Sequence, residues 1–254
     1  KDTALYQLGR VAEEQGRYKA AADYYGQVNV GRLREQARLR EAVAAVRSGD
    51  LERALQRVRE MRSFRPDEPE MYRLEAQILS QLDRLRAAED VADQGIQRAP
   101  DHVELRFTRA MIRDRLGNLD GMEADIRRII DEDPENARAY NYLGYSLADR
   151  GVRLAEALSL LRKAHDLAPD EGYILDSLGW VHFRLGNLAQ AQDFLRQARS
   201  QMPDDPEVLL HLGRVRAERG DRAEARSLWR KALDGAPEDS DLAEELRQQL
   251  AGED

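Results

Sequence analysis

The sequence has no cysteine, which excludes disulfide staples, thiolate metal sites and a cysteine nucleophile while leaving the compartment open. Lysine is confined to Lys1, Lys19, Lys163 and Lys231, so arginine carries almost all the positive charge. Aromatic residues make up only 6% of the chain. No apolar run approaches the roughly 18 residues of a membrane span, and no leader pattern opens the chain. Nor is there a surplus of positive charge: the formal net charge is −8, which argues against binding along a nucleic-acid backbone as the main task. The chain starts at Lys1-Asp2-Thr3 already inside a helical pattern and reads as a piece of a longer protein, so the missing leader carries no weight.

What the chain has is repetition. ARAYNYLGYSLADRGVRLAEALSLLRKAHDLAPDE, from Ala137, lies over GYILDSLGWVHFRLGNLAQAQDFLRQARSQMPDD, from Gly172, position for position. Tyr140-x-x-Leu143-Gly144 matches Leu175-x-x-Leu178-Gly179, Ala157 matches Ala191, and Pro169 matches Pro203. A small residue recurs midway along each first helix at Gly9, Ala42, Ala76, Ala110, Gly144, Gly179 and Gly213, in steps of 33, 34, 34, 34, 35 and 34 residues. Only Gly or Ala stands there because a neighbouring helix must cross closely. A second small site falls at Ala21, Ala54, Ala88, Ala157, Ala191 and Ala225, with Met122 as the exception.

Pro66, Pro100, Pro134, Pro169, Pro203 and Pro237 follow second helices, while Pro69 and Pro206 open first helices, where the missing N–H costs nothing. Tight turns are marked by Gly16, Gly49, Gly117, Gly151, Gly186 and Gly220, with Asp83-Arg84 substituting in the third repeat. The single long step comes from one extra residue in the Val152-Arg153-Leu154 turn.

A period of about 34 residues with this small–aromatic–small spacing and a closing proline resembles the tetratricopeptide family. The resemblance implies an all-α, right-handed superhelix of helix–turn–helix repeats. Seven repeats are expected over residues 2–34, 35–68, 69–102, 103–136, 137–171, 172–205 and 206–239, then a C-terminal capping helix within 240–254. Arg38 and Arg106 stand where the pattern calls for an aromatic or leucine, which marks their repeats as degenerate. In the last segment Leu242, Leu246 and Leu250 form one apolar stripe backed by charge, as an end cap requires.

Catalytic constellations are missing. Gly144-Tyr145-Ser146-Leu147-Ala148 lacks the strand-to-helix turn and second glycine of a nucleophile elbow. His102, His165, His182 and His211 sit in different repeats with no i,i+4 pair. Asp131-Glu132-Asp133-Pro134-Glu135 lacks a calcium loop's glycine. No enzyme activity, cofactor or metal is expected.

Surface recognition remains. First helices line the groove of such arrays, and the groove-pointing positions here carry Phe107, Met111, Tyr142, Tyr145, Tyr173, Trp180 and Phe183. Arg138 and Arg184 stand near them for acidic partner groups. Tyrosine and tryptophan offer large, stiff contact area and dominate binding hot spots. The expected partner is therefore a protein or peptide segment, not nucleic acid, with no direct membrane contact from this stretch. The Lys/Asn clamp by which some family members grip a partner's terminal carboxylate is absent: repeats five to seven supply Asn141, Tyr145, Ser177, Glu207 and His211 at its positions.

YNYLGYSLADRG and DEGYILDSLGWVHFRLGN are also similar to repeats of proteobacterial outer-membrane tetratricopeptide lipoproteins. Some of these are adaptors for a carboxyl-terminal processing protease and deliver cell-wall hydrolases to it. This resemblance implies a protein-binding adaptor on the periplasmic side of the outer membrane. The alternatives are a cytoplasmic location, or a structural scaffold in an envelope secretion or polysaccharide-export assembly that uses the convex face or the ends.

Overall fold

The computed structural model describes residues 1–31, 33–238 and 240–252. Arg32 in the first expected repeat, Asp239 at the end of the seventh and the last two residues of the capping segment lie outside them. The described residues form fifteen α-helices and no strand. They group into two compact units, the first ending at Asp125 and the second starting at Ile126.

The N-terminal unit contains α1 (Asp2–Glu14), α2 (Tyr18–Gly26), α3 (Leu33–Arg47), α4 (Leu51–Phe64), α5 (Pro69–Gln81), α6 (Leu85–Arg98) and α7 (Val103–Arg115). The boundary runs through α8 (Leu119–Glu132). The C-terminal unit contains α9 (Ala137–Asp149), α10 (Leu154–Leu167), α11 (Gly172–Arg184), α12 (Leu188–Gln201), α13 (Pro206–Glu218), α14 (Arg222–Gly235) and α15 (Asp241–Ala251).

Turn chemistry sets where helices stop. Gly186 has φ +78° and ends α11, and a Cβ there would meet open space. The glycine is thus required by backbone conformation alone. Asp83 takes the same left-handed conformation at φ 58°, and Arg153, beside the inserted residue, does so at φ 47°. Pro69 and Pro206 each sit at the start of their helix.

The small sites are crossing points. A Cβ on Gly213 would lie 2.2 Å from Trp229 Nε1, so α13 and α14 meet with no room for a methyl. Trp229 is buried and donates to the Leu210 carbonyl at 3.2 Å. Met122, the exception at the second small site, is also buried. First helices pack on their pair partners and also on the next first helix: α1 on α3 and α5 on α7 in one unit, α9 on α11, α11 on α13 and α13 on α15 in the other. Within each unit these contacts put first helices side by side, and in the C-terminal unit they form a layer whose open side is where a groove can exist.

The two units fill one core position differently. The residue before each small site is Leu143, Leu178 or Leu212 in the C-terminal unit, all buried. In α3, α5 and α7 of the N-terminal unit the same place holds Glu41, Glu75 or Arg109, while α1 carries Leu8, which is exposed there. Glu41 is fully buried and meets Arg38 at 2.9 Å, Arg53 at 3.0 Å and Arg57 at 2.9 Å. Glu75 pairs with Arg59 at 2.8 Å and Arg62 at 2.9 Å. One repeat later the signs are exchanged: Arg109 pairs with Asp93 at 2.6 Å and with buried Asp125 at 2.9 Å. Buried charges persist only when paired, and arginine's planar fork can serve several carboxylates at once.

The arginine of the degenerate fourth repeat has a similar explanation. The Tyr72 hydroxyl donates to the Pro66 carbonyl at 2.8 Å. Arg106, 34 residues on, is buried and donates to the Pro100 carbonyl. It replaces the ring but keeps the hydrogen bond.

α15 is capped by Ser240, whose hydroxyl accepts from Ala243 N–H at 3.1 Å. Leu246 is buried, and Leu242 and Leu250 pack partly buried against the α13/α14 core.

Candidate protein-binding site

The first-helix layer of the C-terminal unit opens into a cleft of about 180 Å³. α9 contributes Asn141, Tyr142 and Tyr145, and α11 contributes Tyr173, Asp176 and Ser177. Met202, at the end of α12, closes one side. The start of α13 supplies Asp205, Glu207 and Val208.

The repeat pattern explains this convergence. Tyr142, Tyr145, Tyr173 and Asp176 lie about one turn apart on their helices, which puts each pair on one face. Packing of α9 on α11 and α11 on α13 brings the three faces together. Asp205 also serves as the N-cap of α13, accepting from Glu207 N–H at 3.0 Å and Val208 N–H at 3.1 Å.

Polar contacts hold the walls. The Tyr145 hydroxyl donates to Glu207 Oε1 at 2.6 Å. Burial, reinforced by Glu207, holds the Tyr145 hydroxyl well above the ordinary tyrosine range, and burial likewise raises Tyr173, with Glu171 adding to it. Both phenols are neutral at physiological pH. The Ser177 hydroxyl donates to the Tyr173 carbonyl at 3.0 Å.

Behind the cleft, His211 Nδ1 lies 2.9 Å from Asp176 Oδ2, and both side chains are buried. Burial alone would discharge the imidazole, but the Asp176 carboxylate outweighs it and raises the His211 pKa above 6.5. Trp180 stacks on His211 with centroids 4.4 Å apart and on Phe183 at 5.2 Å. The guanidinium carbons of Arg214 and Arg184 sit 5.1 Å and 5.5 Å from the Trp180 ring centre.

The sequence-predicted residues divide accordingly. Tyr142, Tyr145 and Tyr173 line the cleft, and Tyr173 is 40% exposed. Trp180 is 2% exposed. It is the middle of a buried stack, not a contact surface as expected, because ring stacking and two flanking arginines cover both its faces. Phe183 is partly buried against the α13/α14 core. Arg184 lies over Trp180 and donates to the Asp149 carbonyl, so it does not stand clear for a partner's acidic group as expected. Arg138 is exposed on α9. Phe107 and Met111 belong to α7 in the other unit. Phe107 is buried at 3% and so corrects another expected contact, whereas Met111 is 45% exposed.

The sequence alone does not mark the wall formed by Asp205 and Glu207 as part of the site. Asp205 reads in sequence as an ordinary helix cap, and Glu207 only as a failed clamp position; neither points to the tyrosines 60 residues earlier.

The class follows from these observations: an α-solenoid of helix pairs with close crossings at Gly or Ala and a side-chain cleft on its first-helix layer. Tetratricopeptide-repeat family models match residues 3–29, 39–103, 107–172, 152–210 and 182–250. The chain belongs to the tetratricopeptide-repeat family, whose repeats serve as protein-interaction scaffolds. It is 41% identical over 188 residues to the TPR repeat-containing protein PA4667 of Pseudomonas aeruginosa, a match covering 74% of this chain. The chain spans about a third of that relative, 32% of its length. A tetratricopeptide repeat protein from Parabacteroides merdae shares the fold with a TM-score of 0.82 over 99% of this chain and 98% of its own, at 15% identity. TTC0263, a thermophilic TPR protein of Thermus thermophilus, aligns with a TM-score of 0.63 at 24% identity, covering 72% of this chain and 100% of its own. The all-α tetratricopeptide fold expected from the repeats is the fold found.

Proposed function

We propose that this chain is a protein-binding adaptor that seats a partner segment in the α9/α11/α13 cleft. The observation that carries the reading is the cleft itself: three tyrosines from two adjacent helices, one of them 40% exposed, wall a concavity next to a rigid buried stack. Rigid aromatic anchors beside a pocket are the usual core of a binding hot spot.

The finer reading is a periplasmic adaptor, on the inner side of the outer membrane, that helps deliver cell-wall hydrolases to a carboxyl-terminal processing protease. It is supported by the resemblance of the repeats around Tyr140–Gly151 and Asp170–Asn187 to such lipoproteins, and by the 41% identity to a protein from a Gram-negative bacterium.

The test is capture from an envelope extract of a Gram-negative bacterium, followed by crosslinking mass spectrometry. The expected result is a processing protease or wall hydrolase crosslinked to α9, α11 or α13. Tyr145→Ala combined with Tyr173→Ala should abolish capture while helicity is kept. Retention of only cytoplasmic proteins, or capture that survives the double substitution, overturns the reading.

A further inference from the structure

We infer that the α9/α11/α13 cleft is an arginine-side-chain subsite: the partner segment presents a guanidinium that enters between Tyr145 and Tyr173 and ends on the carboxylates of Asp176, Asp205 and Glu207. The inference rests on the proposed protein-binding role and names the partner chemistry.

The first argument is charge. Three carboxylates line the cleft and no lysine or arginine does. Asp176 is buried and paired with His211 at 2.9 Å, so the open negative charge of the cleft comes mainly from Asp205 and Glu207. His211 touches Asp176 from behind, outside the lining.

The second argument is independent of the acids. Asn141 Oδ1, on a residue that lines the cleft, is buried and accepts no hydrogen bond. A buried carbonyl oxygen without a donor is costly, and it is relieved by a ligand that brings N–H groups. The unpartnered buried atom among the cleft residues, Asn141 Oδ1, is thus an acceptor and calls for a donor.

The third argument selects the kind of donor. Tyrosine faces attract a cation within about 6 Å of the ring centre. A planar guanidinium also stacks on such rings and offers five N–H donors to several oxygens at once, which a compact ammonium does not. Three carboxylates and one amide oxygen around 180 Å³ suit the fork better than a point charge.

The test uses the full chain, labelled with ¹⁵N, and a neutral-ended probe, N-acetyl-arginine N-methylamide. Its citrulline counterpart has the same shape without charge. Amide shifts are followed by nuclear magnetic resonance. The arginine probe should shift residues of α9, α11 and the start of α13, and the citrulline probe should bind at least tenfold more weakly. Asp205→Asn with Glu207→Gln, which keeps a capping side chain and an acceptor for Tyr145, should weaken the arginine probe at least tenfold without changing the melting temperature. Lysine N-methylamide should bind more weakly than arginine.

Equal binding of arginine and citrulline, shifts confined to other helices, no binding of either probe, or indifference to the double substitution would each overturn the subsite. This failure is distinct from failure of the adaptor role. If the arginine probe fails while Tyr145→Ala/Tyr173→Ala still abolishes partner capture, the cleft is a docking site of another chemistry. If the probe binds as stated while capture survives the tyrosine substitutions, the adaptor reading is what falls.

Discussion

Single residues in this chain separate two demands that look identical in sequence. Gly186 and Gly213 are both repeat-marking glycines, but one serves the backbone and the other the packing. Gly186→Ala should cost about 1 kcal/mol, the strain of a left-handed alanine, since its Cβ meets open space. Gly213→Ala should cost about 3 kcal/mol, at the upper end for overpacking, because its Cβ would run into Trp229. Urea denaturation of the two variants measures the difference, and equal costs would contradict the division.

His211 gives a pH signature at the same scale. Its folded pKa is raised by Asp176 against the opposing effect of burial, with Glu207 and Arg214 also acting on it. A raised folded pKa means that the stabilisation is complete below the unfolded value of about 6.5 and is lost as pH rises through the folded value. Stability of the C-terminal unit should therefore decline above neutrality more steeply in the parent chain than in His211→Gln. Thermal melts between pH 6 and 9 provide the comparison, and parallel profiles would remove His211 from the account.

At the scale of elements, the two units solve the same packing problem with different chemistry. Where α9, α11 and α13 place leucine before the small residue, α3 and α5 place Glu41 and Glu75, and α7 places Arg109. Glu41→Ala would leave Arg38, Arg53 and Arg57 facing a buried site without a carboxylate. Breaking a buried ion pair from one side costs about 3–5 kcal/mol, so this substitution should exceed Leu178→Ala only if the network is intact in solution. Denaturant midpoints of Glu41→Ala and Glu41→Gln decide it. A loss under about 1 kcal/mol would mean that the three arginines simply swing into water. The exchange of signs between Arg59–Glu75 and Asp93–Arg109, 34 residues apart, shows that the crossing needs a complementary pair, not a particular carboxylate.

At the scale of the molecule, repeats couple mainly to neighbours. Glu41→Ala should lower hydrogen-exchange protection in α3, α4 and their neighbours while leaving α11 and α12 as protected as in the parent. Uniform loss along the chain would mean one cooperative unit.

Much of this was readable beforehand, because the helix pair is a local device. Gly and Ala at the crossings, proline after second helices, glycine at the turns and even Asp83 in place of glycine follow from contacts within about 35 residues, and the chain repeats the pattern along its length. Three cleft tyrosines were legible for the same reason: groove positions recur at fixed offsets. Trp180 and Phe107 misled, since the same offsets do not say whether a neighbouring helix covers the ring. Only tertiary packing decides that. Trp180 is buried because His211, Phe183 and two arginines close over it, and the acidic wall exists because α13 carries Asp205 and Glu207 alongside α9. The repeat, its helices and its family are already set along the chain, since each depends on short-range spacing and turn chemistry. The cleft, its charge and the buried ion networks were decided by the tertiary structure, since each joins side chains on different helices that meet only when those helices pack together.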